Sequence, residues 1–397
     1  MDIRRIPLWE ARNATYMSND LIKVIIEDQG DVVLELSSKN SVGGRTNALC
    51  LPYFRGIGSG VETDPNIDWY KAKTSFYQAG GSYISFPSKD EEHVLTRNTY
   101  WNVRRYGFDA ESGGVWRLSE MRSRENGNRY RIHRISLLLP GQPVLYTLCK
   151  IENSNEKDFE CNLSMHSMLG SPFLESGASF YTSSGSFIAF PPNVREVAFN
   201  RLKSGKRFSD LRHAPSAYGG TTDASYIPGP TGTYDYLMGN IERRNDLGWS
   251  AVINPRQQLI YMNFFPSHMD LGEDVLNFPK VEFAMNYCGR MDTPWALYDG
   301  ATPEVFSFTA GFGYLDSHGS LDGDDKLIIP IGGSKIMLAG QALMRYDNAR
   351  MNSGFYSLEK GDNCLICKRT KSTITIPCNH DFSVIRKLAR EILEDRE

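Results

Sequence analysis

The chemistry of this chain is read first from His166. It lies in Cys161–Gly177, CNLSMHSMLGSPFLESG, where Phe159, Cys161, Leu163 and Met165 alternate with Glu160, Asn162, Ser164 and His166. Period-two alternation marks a strand with one apolar face. Gly170 and Pro172 break the ladder. The pattern therefore puts His166 on the less apolar face, near a strand's end and just before a loop. An imidazole so placed can exchange protons near neutral pH or reach a ligand. The plain alternative is a histidine hydrogen-bonded on a sheet face.

Two further sets carry suggestive residue types. Cys364-x-x-Cys367 with Cys378-x-His380 has the side chains and the first-pair spacing of a zinc site. Residues three apart point to opposite faces of a regular strand, and no glycine supplies a bend. These cysteines are therefore read as hydrophobes packed in a hairpin, and no metal is expected. Gly311-Phe312-Gly313 lacks the following glycine of a dinucleotide fingerprint and precedes no helix, so no nucleotide is expected there.

The elements that must position His166 read mostly as strands. Leu21–Glu27 and Asp31–Leu36 form a strand pair across the turn Asp28-Gln29-Gly30, a hairpin signature. Residues 113–122, 129–139 and 143–153 follow as a meander with turn signals at 125–128 and 140–143. Residues 178–233 hold two short strands and then a Gly/Pro/Ser/Thr- and Tyr-rich run, read as a loop region packed at one end of the sheets. Strand character returns at 249–253, 259–265, 281–287, 304–314, 325–331 and 334–343, with a last hairpin at 363–377. The convincing helix is Phe382–Glu394, with Val384, Ile385, Leu388, Ile392 and Leu393 at helical spacing and Asp381 as N-cap.

Many short strands and one helix predict a mainly β chain: a single large antiparallel β-sandwich with a C-terminal helix. Residues 1–345 are expected to form the sandwich, and 346–397 a hairpin and helix packed on the same domain. The 397 residues carry a net charge of −3, from 44 Lys+Arg and 47 Asp+Glu, with no basic block or acidic tail. Neither a nucleic-acid nor a membrane partner is expected. The first twenty residues lack a signal peptide's apolar run, no stretch reaches the ~18 apolar residues of a membrane span, and the seven cysteines are scattered. A cytoplasmic protein with free thiols is the expectation.

The order of segments resembles the galactose mutarotase-like superfamily, the aldose 1-epimerase fold. The matching features are Leu51-Pro52-Tyr53-Phe54-Arg55-Gly56, the Gly-Gly aromatic run Gly80–Pro87, and Ile151-Glu152-Asn153-Ser154. They continue with His166 ahead of Gly170-Ser171-Pro172-Phe173, then Phe278–Gly289 followed by Pro294-Trp295, and the Gly323-Asp324-Asp325 turn. The likeness spans roughly residues 20–345. It implies a β-supersandwich that binds a small sugar and interconverts the anomers of an aldose or sugar derivative by acid/base ring opening, with no cofactor. His166 matches the family's histidine and would be the acid. The family's late glutamate falls in Tyr298–Glu304, where Glu304 follows Pro303 and Asp299 precedes Gly300; either carboxylate would be the base. Beside them, Arg55, His268 and Asp235 are candidates for holding substrate, and Trp295 and Trp101 for stacking on a sugar face. His93 is read as lying on a solvated loop. The alternatives are a lyase or isomerase acting on an oxidised or acidic sugar, with His166 as base and Arg55 on the acid group, or a non-catalytic sugar-binding module.

Overall fold

The computed structural model describes residues 1–8, 12–41, 44–51, 54–55, 76–77, 80–86, 95–123, 129–191, 199–289, 306–314, 327–346, 355–369 and 372–394. Two antiparallel sheets dominate, as the strand patterns predict. Among the described residues the larger has twelve strands, including, in lateral order, Ser82–Ser85, Leu163–Gly170, Phe306–Tyr314, Lys280–Tyr287, Thr233–Ile241 and Ser184–Ala189. The second has eight and runs Ser179–Thr182, Leu247–Asn254, Leu259–Pro266, Ser334–Arg345, Val144–Asn153, Tyr130–Leu138, Val115–Ser123, Asn102–Phe108. The predicted meander is its last part, paired Val115↔Leu138 and Tyr130↔Asn153 without a slip.

One apolar cluster fills the space between the sheets, with Ile84, Met165, Val281, Phe283 and Phe312 from the larger and Val252, Tyr261 and Phe265 from the second. A separate cluster covers the second sheet's outer face, where Leu148, Tyr146 and Phe264 meet Ile385, Leu388, Ala389 and Ile392 of the helix Ser383–Glu394. Phe382 packs its ring 5.6 Å from that of Phe264 at the start of this helix. Asp381 accepts the backbone N–H of Ser383, but the cap position falls one residue later, at Phe382, which has a φ of +58° and whose carbonyl takes the first helical bond, from Arg386 N. The hairpin before the helix has a third strand, giving Phe355–Gly361, Cys364–Arg369 and Thr373–Pro377.

Two of the three cysteines there pack as hydrophobes, and Cys364 is half-buried outside the cluster. Cys367 and Cys378 are buried in the outer cluster, burial pushes the Cys367 thiol up to about 12, and His380 Nε2 is 2.9 Å from the Gly361 carbonyl oxygen. Among the described residues, no group of three His, Cys, Asp or Glu could hold a metal ion, and no helix is long and apolar enough to cross a membrane.

Polar links cross the otherwise apolar interface. The Gln341 carboxamide nitrogen lies 3.0 Å from Ser82 Oγ, 3.0 Å from Ser167 Oγ and 2.9 Å from the Tyr261 hydroxyl. Farther along, Arg117 and Arg134 are fully buried around Asp31. Arg134 Nη1 donates to the Asp31 backbone carbonyl at 2.6 Å and to its carboxylate at 3.2 Å, and Ser119 Oγ donates to the same carboxylate at 3.1 Å. Removing one partner from a buried pair leaves charge uncompensated, which costs about 3–5 kcal/mol. Asp31→Asn keeps a residue that tolerates the φ of +51° at this turn. It is expected to lose stability on the order of 3–5 kcal/mol, read as a lower urea midpoint with an unchanged slope.

Candidate functional site

His166 stands in the middle of Leu163–Gly170, not near its end. The run from Phe159 is broken at Asn162. Phe159–Cys161 pairs with Leu327–Ile329 in a separate two-stranded sheet, and a new strand starts at Leu163. The predicted stop at Gly170 is correct, but His166 is four residues short of it. Its side chain belongs to a sheet face and not to a strand tip.

The registers define that face. His166 is opposite Tyr83 on one side and Gly311 on the other, Gly311 is opposite Glu282, and Glu282 is opposite Met238. Directly opposed residues point the same way, so Tyr83, His166, Gly311, Glu282 and Met238 form one row on the face turned away from the second sheet. Two residues along, Met168, Thr309, Ala284 and Tyr236 form the next row.

Glu282 crosses a whole strand to reach His166, with Oε1 3.1 Å from Nε2, the side chains being 5% and 16% exposed. Gly311 makes that reach possible. A Cβ at Gly311 would stand 2.7 Å from both Cγ and Oε1 of Glu282. The other carboxylate oxygen accepts a short hydrogen bond from the Tyr236 hydroxyl. Burial, reinforced by the neighbouring Glu282 charge, pushes the Tyr236 hydroxyl well above its ordinary value, so Tyr236 remains a proton donor. Ser164 Oγ lies 2.8 Å from the same His166 Nε2. The Tyr83 ring stacks on the imidazole at 5.4 Å and 17°, and the Arg97 guanidinium lies 4.8 Å from the Tyr83 centroid. Burial raises the Tyr83 hydroxyl as well, against the pull of Arg97.

This arrangement presents an imidazole and a carboxylate in contact, each held by a further group, on a polar patch of sheet. It can donate one proton and accept another within a few ångströms. It is not a serine-nucleophile triad. Ser164 and Glu282 both meet the same ring nitrogen, whereas a triad needs the acid on Nδ1 and the serine on Nε2.

Several expected site residues are elsewhere. Asp235 is fully buried on the interior face of its strand, where it accepts from Arg201 N at 2.8 Å, Leu202 N at 3.0 Å and Arg201 Nε at 2.6 Å. It anchors the loop region that follows residue 199 and offers nothing to a substrate hydroxyl. Trp101 is buried in the core, its indole N–H donating to the Thr96 carbonyl at 2.9 Å. His268 is exposed at the end of a strand of the second sheet, with its backbone N–H on the Asp246 carbonyl at 3.0 Å. Arg55 belongs to a two-residue ladder with Phe76–Tyr77, and its side chain lies outside the described residues. Asp299, Glu304, Trp295 and His93 also lie outside the described residues.

Glu282, Tyr236 and Tyr83 were missed by sequence reasoning, although signals were present. Lys280–Tyr287, KVEFAMNY, is buried throughout, so its glutamate is anomalous for a core strand. Glycines inside a strand mark close approach, and Gly311 and Gly313 flank Phe312 in Phe306–Tyr314.

No family model matches the chain, and no curated protein matches it in sequence. Solved structures do match its fold. A Klebsiella pneumoniae protein named as a candidate aldose 1-epimerase superposes with a TM-score of 0.59 at 14% identity, over 86% of this chain and 83% of that one. A galactose mutarotase-like protein from Clostridium acetobutylicum gives 0.56 at 10% identity, over 87% and 99%. A TPR-domain containing protein from Parabacteroides distasonis gives 0.55 at 13% identity, over 85% of this chain and 48% of that one. The chain has the galactose mutarotase-like β-sandwich fold.

Opposite charge beside an imidazole favours its protonated form. Glu282→Gln is therefore expected to lower the pH at which His166 titrates, followed by NMR of the ring. Gly311→Ala should shift it in the same direction by displacing the carboxylate, with the fold retained. An unmoved His166 titration in both variants would deny the pair.

Proposed function

We propose, on the galactose mutarotase-like fold and the paired His166 and Glu282, that this protein interconverts the anomers of an aldose. The observation that carries the reading is the 3.1 Å contact between His166 Nε2 and Glu282 Oε1. Anomer exchange needs a base at the anomeric hydroxyl and an acid at the ring oxygen, and these two oxygens share one carbon. A donor and an acceptor in mutual contact fit that demand.

In this reading a sugar enters between the pair. Glu282 takes the proton of the anomeric hydroxyl while His166 delivers one from Nε2 to the ring oxygen, and the C1–O5 bond opens. Rotation about C1–C2 presents the other face of the aldehyde. His166 then recovers its proton from the hydroxyl at C5, Glu282 returns its own to the carbonyl oxygen, and the ring recloses. Tyr236 holds Glu282 in place and favours the carboxylate that the first step needs. Tyr83 fixes the plane of the imidazole. The role expected of Glu304 or Asp299 passes in this account to Glu282.

The lyase reading, with His166 as base and Arg55 on the acid group, would be favoured by a site without a carboxylate, and Glu282 beside His166 weighs against it. Anomer-exchange NMR on a panel of aldoses tests the proposal. Each of His166→Ala and Glu282→Gln is expected to lower the exchange rate about 10²–10⁴-fold. The wild-type rate should fall at low pH, as Glu282 is protonated, and again at high pH, as His166 loses the proton it must give. Exchange no faster than in buffer for every sugar tried would dismiss the activity.

A further inference from the structure

A short helical turn, Leu95–Asn98, is fastened to the strand that carries Tyr83. Thr96 Oγ1 donates to the Ile84 carbonyl at 2.6 Å, and the Phe86 backbone N–H donates to the same hydroxyl at 3.3 Å. The turn also closes on Gly30, where a Cβ would stand 1.9 Å from the Arg97 carbonyl oxygen. These contacts hold Arg97 over the Tyr83 ring, its guanidinium carbon 4.8 Å from the centroid. Arg97 is 4% exposed. Among the described residues no carboxylate forms an ion pair with it, and its Nε has no hydrogen-bond partner. Buried cations are normally paired with acids. This one rests on an aromatic face instead, which leaves its positive charge uncancelled. Burial is the main reason the Tyr83 hydroxyl is raised; Arg97 opposes that rise and Glu282 adds to it, so both charges act at this ring.

We propose that Arg97 is a positioning residue whose charge, held against Tyr83, sets the pH at which His166 exchanges its proton. The Tyr83 and His166 centroids are 5.4 Å apart, so the guanidinium carbon lies within about 10 Å of the imidazole centroid. A buried cation at that distance is only partly screened and disfavours the imidazolium. Among the described residues, the titratable groups that face His166 from neighbouring elements are Tyr83 on Ser82–Ser85, Glu282 and Lys280 on Lys280–Tyr287, and Tyr236 on Thr233–Ile241. The adjoining part of Phe306–Tyr314 brings Thr309, Gly311 and Gly313, none of which titrates. Glu282, in contact, stabilises the imidazolium and by itself would make the proton hard to give up. Arg97 opposes that pull without touching either group. An acid serves best when it titrates near the working pH, and a carboxylate in contact balanced by a more distant cation brings it there. The consequence for the rate rests on the anomer-exchange reading; the effect on the titration does not.

The test is NMR titration of the His166 ring in the full chain. Arg97→Gln removes the charge and leaves no buried carboxylate behind, so the fold is expected to survive; Arg97→Met is a second neutral variant should glutamine not fold. The neutral variant is expected to raise the His166 midpoint by about half to one pH unit. Arg97→Lys keeps the charge while losing the planar contact with Tyr83, and is expected to leave the midpoint near that of the wild type. A midpoint that stays or falls in the neutral variant would overturn the proposal. So would a rise in Arg97→Lys as large as in Arg97→Gln, which would assign the effect to packing on Tyr83. In anomer exchange, the loss of rate at high pH should move upward with the NMR midpoint in Arg97→Gln. A raised midpoint with no exchange of any aldose would leave the role of Arg97 standing and sink the proposed reaction. Exchange by the wild type with an unmoved midpoint in Arg97→Gln would do the reverse.

Discussion

The absence of a side chain at Gly311 is the constraint on which the site depends. His166 and Glu282 stand on strands separated by a third, so their backbones are about 9.6 Å apart. Only a glycine between them lets the glutamate lie flat across the sheet, since any Cβ would occupy the space of its Cγ and Oε1. The same strand must also be held firmly. Phe312, between Gly311 and Gly313, points the other way and stacks on Phe265 of the second sheet with centroids 3.9 Å apart and planes at 10°. One Gly-Phe-Gly run thus opens the sheet on one face and fastens it on the other. It is the physical use of a motif that resembled a truncated nucleotide fingerprint.

The support behind the site follows the same two-faced logic. Ser82 and Ser167 neighbour Tyr83 and His166 in sequence, so their side chains point inward where the ring pair points outward. There they meet Gln341 of the second sheet. A buried hydroxyl cluster costs free energy unless its members are bonded, and it is therefore selective about register. A slip of one residue would turn His166 inward and bring Ser167 out. The buried arginines around Asp31 act in the same way farther along the interface, linking a turn of the larger sheet to two strands of the second.

Residues chosen for their chemistry divided according to the face they occupy. Asp235 and Tyr236 are adjacent, yet the interior face took the carboxylate as an anchor for Arg201 and Leu202, and the site face took the tyrosine. Trp101 is large enough to stack on a sugar but is enclosed by the core. His268 follows a strand that belongs to the other sheet. None of these outcomes follows from residue type, because an isolated strand pattern does not say which of its faces meets the second sheet.

Local pattern determined much by itself. Alternation and turn residues identified the meander, the hairpins, the end of the His166 strand at Gly170 and the apolar stripe of the C-terminal helix, because those features depend on neighbours a few residues apart. The order of motifs along the chain was enough to indicate the sandwich and to single out His166. What only the tertiary structure decided was the partner. Glu282 lies more than a hundred residues from His166, on a strand whose burial on both faces hides the usual alternation. Its role depends on strand order and register across three strands, and on a glycine that matters only once those strands are side by side.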